Sequence, residues 1–291
     1  MAWQAVLATV LPVFGLVALG FVFGRFHRVD LATLTDVVVY MAGPALVFSS
    51  LAHGTLVTSD ALTVMAGTCV IVLGVGVAMR AVAAVGGLRP GPLYLPAMFM
   101  NSGNMLLPLG LFAFGEEGLR HGVIIFVTVA VLQSTVGVTI ASGRPAPAEM
   151  FRLPYVHAAV AALAVRVAGV ILPEVAARPI AMVGDMAVPL MLIALGLRLR
   201  TLAPGSWRAA GFVVVMRIAG GYAMAWSFVT LVGLEGTARS CLLLGSVMPS
   251  AVINFIFAEK FASEPGDVAT AVVASTLVSV VTTPLVLAFG L

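Results

Sequence analysis

Two segments of the chain interrupt long apolar runs with proline, glycine, hydroxyl and amide groups. The stretch LPAMFMNSGNMLLPLGLFAF holds Asn101, Ser102, Gly103, Asn104 and Pro108, and CLLLGSVMPSAVINFIFAEK holds Gly245, Ser246, Pro249, Ser250 and Asn254. Proline removes a backbone donor and clashes with the turn before it, so carbonyls about one turn earlier lose their partners. In lipid such backbone survives only where it lines a cavity or is buried in protein. The chemistry on offer is therefore binding: broken helices whose second halves begin near mid-depth and aim their N–H ends at one point. Two such ends, at about half an elementary charge each, sum to roughly one positive unit and suit a carboxylate without a buried lysine. Asn101, Asn104, Ser250 and Asn254 add oriented amide and hydroxyl groups. The alternative is that the prolines are ordinary kinks and the amides tie helices together.

The elements that must carry these segments follow from composition. Of 291 residues, 61% are hydrophobic and 9% charged, with a mean hydropathy of +1.14. An average soluble domain carries about 25% charged residues. A soluble fold is excluded, because that much apolar surface needs lipid to cover it. The net charge of +3 is scattered along the chain without a basic tract, which argues against nucleic acid as a partner. Cys69 and Cys241 both fall inside apolar stretches, where a lone thiol is a small packing residue.

Apolar runs and their punctuation predict ten spans, at about 5–24, 33–53, 61–83, 92–114, 118–141, 153–172, 179–199, 206–232, 237–260 and 268–289. The first run is too long for a cleavable signal and is expected to be a span. Ten passes take roughly 200 residues, and the remainder suffices for loops and ends without a separate soluble domain. With the N-terminus outside, Arg25, Arg28, Arg80, Arg89, Arg144, Arg152, Arg198, Arg200, Arg208 and Lys260 fall on the cytoplasmic side, against Arg120, Arg178 and Arg239 outside. The positive-inside rule then places both termini outside and the loop 142–152 (SGRPAPAEMFR) in the cytoplasm.

Five spans on each side of that loop require the halves to lie in opposite orientations. Pro44 and Pro189, Gly67 and Gly211, and Gly137 and Pro284 recur at spacings of about 145 residues, as expected for an inverted repeat. The predicted fold is an all-α polytopic membrane protein of ten transmembrane helices. Residues 1–141 form the first five-helix repeat, 142–152 a linker and 153–291 the second repeat, with broken helices four and nine crossing.

Other polar residues inside spans are accessory candidates. Arg217, in VVVMRIAGG, lies near mid-depth, too deep for easy snorkelling. It either attracts the anion or pairs with Asp185 or with backbone carbonyls. Asp185 is a candidate proton carrier. Thr128, Gln133 and Ser134 in span five and Ser275, Thr276 and Ser279 in span ten recur at matched positions and would flank the crossing, although a hydroxyl often bonds its own helix. His53 and His157 lie near span ends. No HExxH, CxxC, P-loop or GxSxG pattern occurs. Glu116, Glu117 and Arg120 superficially resemble a paired-glutamate intramembrane protease motif, but the arginine comes one residue early. An outer loop is expected there. No enzyme, cofactor or metal is predicted.

The patterns LPVFGLVALGFVFGR, MAGPALVFSSLA, NSGNMLLPLGLFAFGEEGL and MPSAVINFIFAEKF followed by STLVSVVTTPLVL resemble the auxin efflux carrier family of membrane transporters over nearly the whole chain. Asn101, Asn104 and Pro108 match its span-four motif, and Pro249 with Ser250 its span-nine motif. The resemblance implies a scaffold of spans one, two, six and seven, and a transport domain of spans three to five and eight to ten. The domain moves as an elevator to give alternating access. It further implies a homodimer and a site at the crossing for a small organic anion, auxin-like or a mono- or dicarboxylate. The plant exporters' long cytoplasmic loop is reduced to about 11 residues, so hormone specificity is not inherited. The distantly similar bile-acid sodium symporters place a carboxylate in the span-nine crossing, where this chain has Ser250 and Asn254, which weakens sodium coupling. A sodium-coupled symporter of that type is the alternative, and proton coupling stays open.

Overall fold

The computed structural model describes residues 3–52, 58–85, 91–201, 205–261 and 264–291. In chain order its helices are α1 (Trp3–Phe26), α2 (Leu31–Ala52), α3 (Thr58–Val85), α4 (Tyr94–Met98), α5 (Ser102–Ser142), α6 (Pro154–Val167), α7 (Glu174–Leu199), α8 (Trp207–Val232), α9 (Gly236–Ser246), α10 (Ile253–Lys260) and α11 (Pro265–Phe289). Among the described residues there is no strand, only an isolated antiparallel bridge between Met100 and Ser250. Among the described residues seven helices are long and apolar enough to cross a membrane: α1, α2, α3, α5, α7, α8 and α11. Large apolar side chains such as Leu11, Val77 and Leu277 stand exposed along them, as they must where lipid is the solvent. The chain is a multi-pass, all-helical membrane protein.

Local sequence explains where these helices begin and bend. Asp30 caps α2 by accepting from the Ala32 N–H at 3.0 Å and the Thr33 hydroxyl at 2.5 Å, and these bonds hold its carboxyl below the usual carboxylate range. Gly169, at φ +63, ends α6 after 14 residues, short of the expected 153–172. Helix α5 runs for 41 residues, about twice one bilayer pass, and bends at Gly115, whose φ of 64° and ψ of −154° are open to glycine alone. The arms 102–114 and 116–142 fold back on each other: a Cβ on Gly118 would lie 2.3 Å from the Gly110 carbonyl oxygen, whereas eight residues of straight helix span about 12 Å. The loop expected around Glu116 and Glu117 is thus a single-residue bend, and both carboxylates sit exposed in the first turn of the second arm. His53 and Arg89 lie outside the described residues.

Two sets of close helix contacts stand out. α1 lies along α7 with backbones in contact, since a Cβ on Gly196 would meet the Val17 carbonyl oxygen at 2.0 Å and one on Gly20 the Ile193 carbonyl oxygen at 2.3 Å. α2 packs on α6 and α7, with Gly43 against the Tyr155 ring and Gly184 against the Leu46 backbone. Small residues at such contacts are how helices associate where lipid offers no hydrophobic drive. In the second set α3 packs on α5, α8 and α9, and α11 packs on α8 and α10. The crossing of α4–α5 with α9–α10 lies within this set.

Candidate functional site

Both interrupted segments lose their helix near the same point, and each break supplies the other's missing partners. The Asn101 N–H donates to the Pro249 carbonyl at 2.7 Å, and the Ala251 N–H donates to the Phe99 carbonyl at 3.1 Å. Two short extended stretches, one on each side of Met100 and Ser250, therefore cross as an antiparallel pair. Backbone groups that would be orphaned in lipid are satisfied inside the crossing. The break falls at Phe99–Asn101, so Pro108, expected to mark it, sits instead in the first turn of regular α-helix beyond a π-helical turn, Ser102–Leu106. There its missing N–H leaves a carbonyl of the preceding π-helical turn without that donor.

Side chains lock the pair. Asn254 Nδ2 donates to the Phe99 carbonyl at 2.9 Å and to Ser250 Oγ at 3.0 Å, while its Oδ1 accepts from Gln133 Nε2 at 2.6 Å. The Ser250 N–H donates to Ser275 Oγ at 3.0 Å. Asn101 Oδ1 accepts from the Asn104 N–H at 3.1 Å, which makes it the N-cap of the second half-helix, but its Nδ2 is buried without a hydrogen-bond partner among the described residues. A buried donor left over after capping is a costly arrangement that a ligand acceptor relieves.

Arg217 is fully buried and lies behind the crossing. Its Nη1 donates to the carbonyls of Ala97 and Met98 at 2.9 and 2.6 Å, and its Nη2 to the Ser246 carbonyl at 3.0 Å. Of the two roles left open for it, backbone pairing is the one observed. These carbonyls end the first halves of both broken helices, α4 and α9.

A cavity of about 220 Å³ opens between the crossing and the α2, α6 and α7 side of the molecule. Asn101, Ser102, Gly103, Asn104, Gln133 and Ser134 line it, whereas Pro108, Pro249, Ser250, Asn254, Thr128, Ser275, Asp185 and Arg217 do not. Thr128 spends its hydroxyl on the Ile124 carbonyl of its own helix, and Asp185 is exposed on α7. Ser250, Asn254 and Ser275 hold the crossing together from behind. Three cavity features escape a reading of polar residues within spans. Arg198, near the end of α7, lines the opposite wall and donates to Thr35 Oγ1 at 2.6 Å; by sequence it counts only as a cytoplasmic loop charge. Phe126, Tyr155 and Phe257 give the cavity aromatic walls. Finally, π-helical turns at Val38–Ala42, Ser102–Leu106 and Gln133–Gly137 all border it, and a fourth, Met216–Gly220, carries Arg217. Such turns gather at functional sites, but sequence carries almost no signal for them.

Crossed half-helices in a multi-pass apolar bundle, with a cavity at their meeting point, are the arrangement of a membrane transporter. Residues 146–287 match the model of the family described as Membrane transport protein, that of the auxin efflux carriers, so the resemblance carried by the sequence motifs is borne out. Over nearly the full chain the protein is similar to an uncharacterized transporter of Methanothermobacter thermautotrophicus, 28% identical across 95% of this chain and 96% of that protein. It is also similar to an uncharacterized transporter of Methanocaldococcus jannaschii, 23% identical across 93% of this chain and 94% of that one.

Proposed function

We propose that the chain is a secondary or potential-driven transporter of a small organic anion across the cytoplasmic membrane, working by alternating access. The observation that carries this reading is the set of donor-bearing residues around the cavity: Asn101, Asn104 and Arg198 line one space of about 220 Å³. That volume is below the range of about 300–1,000 Å³ typical of drug-sized ligands and suits a small acid. One guanidinium, amide donors and aromatic walls favour an anion with a single carboxylate and an apolar body.

The ten-span reading supports the same mechanism. Counting the arms of α5 as separate passes, and α4 with the first arm and α9 with α10 as interrupted ones, gives two sets of five, before and after the linker 142–152. α1, α2, α6 and α7 then act as scaffold, and the remaining helices as the domain that carries the site in an elevator motion. With both termini outside, Arg198 and the linker lie on the cytoplasmic side and the cavity faces inward. A monoanion gains about 2.3 kcal/mol per 100 mV on leaving a negative cytosol, so efflux needs no coupling ion.

The test is charge movement in proteoliposomes on adding indole-3-acetate, benzoate, malonate or malate, with and without sodium, repeated with Asn101→Asp. The substitution keeps the capping oxygen but replaces the free donor with a negative charge. A saturable, sodium-independent current lost in the variant is expected. A current that needs sodium favours a symporter of the bile-acid type, and an unsaturable one a channel. Equal currents in the variant remove Asn101 from the site.

A further inference from the structure

The helix ends at the crossing cancel among themselves, so the buried Arg217 leaves it with a net positive charge. Helices α4 and α9 run into the crossing with their carbonyl ends, and α5 and α10 start from it with their N–H ends. Helix ends carry partial charges of about half a unit, negative at the carbonyl end. In carriers with discontinuous helices, such carbonyl ends coordinate a transported sodium ion or proton. Here the Ala97, Met98 and Ser246 carbonyls, drawn from both broken helices, converge on one guanidinium. The space is shaped for it: a Cβ on Gly221 would lie 2.4 Å from Arg217 Nη2 and 2.5 Å from the Ser246 carbonyl oxygen. Arg217 is wholly buried and does not line the cavity, so it is no direct ligand of a substrate there.

We propose that Arg217 is the resident cation of the crossing: a tethered guanidinium in place of the sodium ion that carbonyl ends of broken helices hold in ion-coupled carriers, so that anion transport requires no cation there. The inference rests on the transporter reading and adds the reason for its cation independence. Arg217 is a positioning residue. It cancels the negative ends of α4 and α9 and leaves the positive ends of α5 and α10 uncompensated toward the cavity, where an anion binds. Because the cation is covalently part of α8, it is neither released nor reloaded as the carrier turns over.

The experiment compares wild type, Arg217→Ala and Arg217→Lys in liposomes with indole-3-acetate, benzoate or malonate, in sodium, potassium or choline buffers of equal ionic strength. The wild-type rate is expected to be the same in all three. Arg217→Ala is expected to fall about tenfold or more in choline, as when one partner of a buried charge interaction is removed, and to recover when guanidinium or sodium is added at tens of millimolar. A second readout is the thermal unfolding midpoint of detergent-purified protein, which should rise saturably with guanidinium in Arg217→Ala but not in wild type. The proposal is overturned by a sodium-dependent wild type, by Arg217→Ala at full rate in choline, or by folded Arg217→Ala that neither cation restores. If Arg217→Ala does not fold, Arg217→Lys decides: reduced but cation-independent transport supports the proposal, and background transport by folded protein overturns it. If wild type moves none of the three acids, the transporter reading fails for these substrates, while the unfolding midpoints still decide the place of the cation.

Discussion

Gln133 and Asn254, 121 residues apart in sequence, are joined by a hydrogen bond of 2.6 Å from Nε2 to Oδ1. That bond fixes which way the Asn254 amide faces and so aims its Nδ2 at the Phe99 carbonyl in the other broken helix. One residue thereby ties together the second arm of α5, the break before it and α10. Asn254→Leu fills similar volume but leaves the Gln133 Nε2 donor without its partner, while the Phe99 carbonyl keeps only the Ala251 N–H. A buried orphan costs about 1–3 kcal/mol. The thermal unfolding midpoint of the purified protein should drop by several degrees, and an unchanged midpoint would show that the network contributes nothing to stability.

Asn104 behaves differently. Its side chain lines the cavity and bonds no other described residue, while only its backbone N–H serves the Asn101 cap. Asn104→Ala should leave stability within about 0.5 kcal/mol of wild type, with little change in unfolding midpoint, and abolish carboxylate-driven current. Retained current with a lowered midpoint would mean the amide serves packing.

Arg198 contributes one charge from the α7 wall, held by Thr35. Arg198→Met keeps the apolar stem and removes the charge, so the apparent KM for a transported carboxylate should rise about tenfold, or 1.4 kcal/mol, with little change in maximal rate. An unchanged KM would place the anion elsewhere in the cavity.

Glycines give a matched pair. At Gly196 a Cβ would be 2.0 Å from the Val17 carbonyl oxygen, so Gly196→Ala must push α1 from α7, at about 1–3 kcal/mol. At Gly211 nothing lies within 4 Å, so Gly211→Ala should be neutral or stabilise by up to about 1 kcal/mol. Unfolding midpoints of the two variants should move in opposite directions or differ by several degrees, and equal shifts would remove the close helix contact as an explanation.

Hydropathy, proline and amides by themselves determined that this chain is a multi-pass helical membrane protein with interruptions in two particular segments, because lipid leaves a chain few ways to satisfy its backbone. They also marked Asn101–Asn104 as cavity residues, since three polar side chains and a glycine in an apolar run have few other uses. Tertiary structure decided the rest. The polar residues of the crossing divide between cavity and support according to which side of it they face, which no spacing reveals: Asn101 and Gln133 line the space, whereas Ser250 and Asn254 brace it from behind. Arg217 could pair with an acid or with carbonyls until α4 and α9 were seen to end on it. Arg198 becomes a cavity residue only because α7 packs beside α2, bringing Thr35 within reach across 163 residues of sequence. Local energetics choose a helix and its breaks, but which faces meet depends on contacts between residues far apart, and those exist only once the helices have packed.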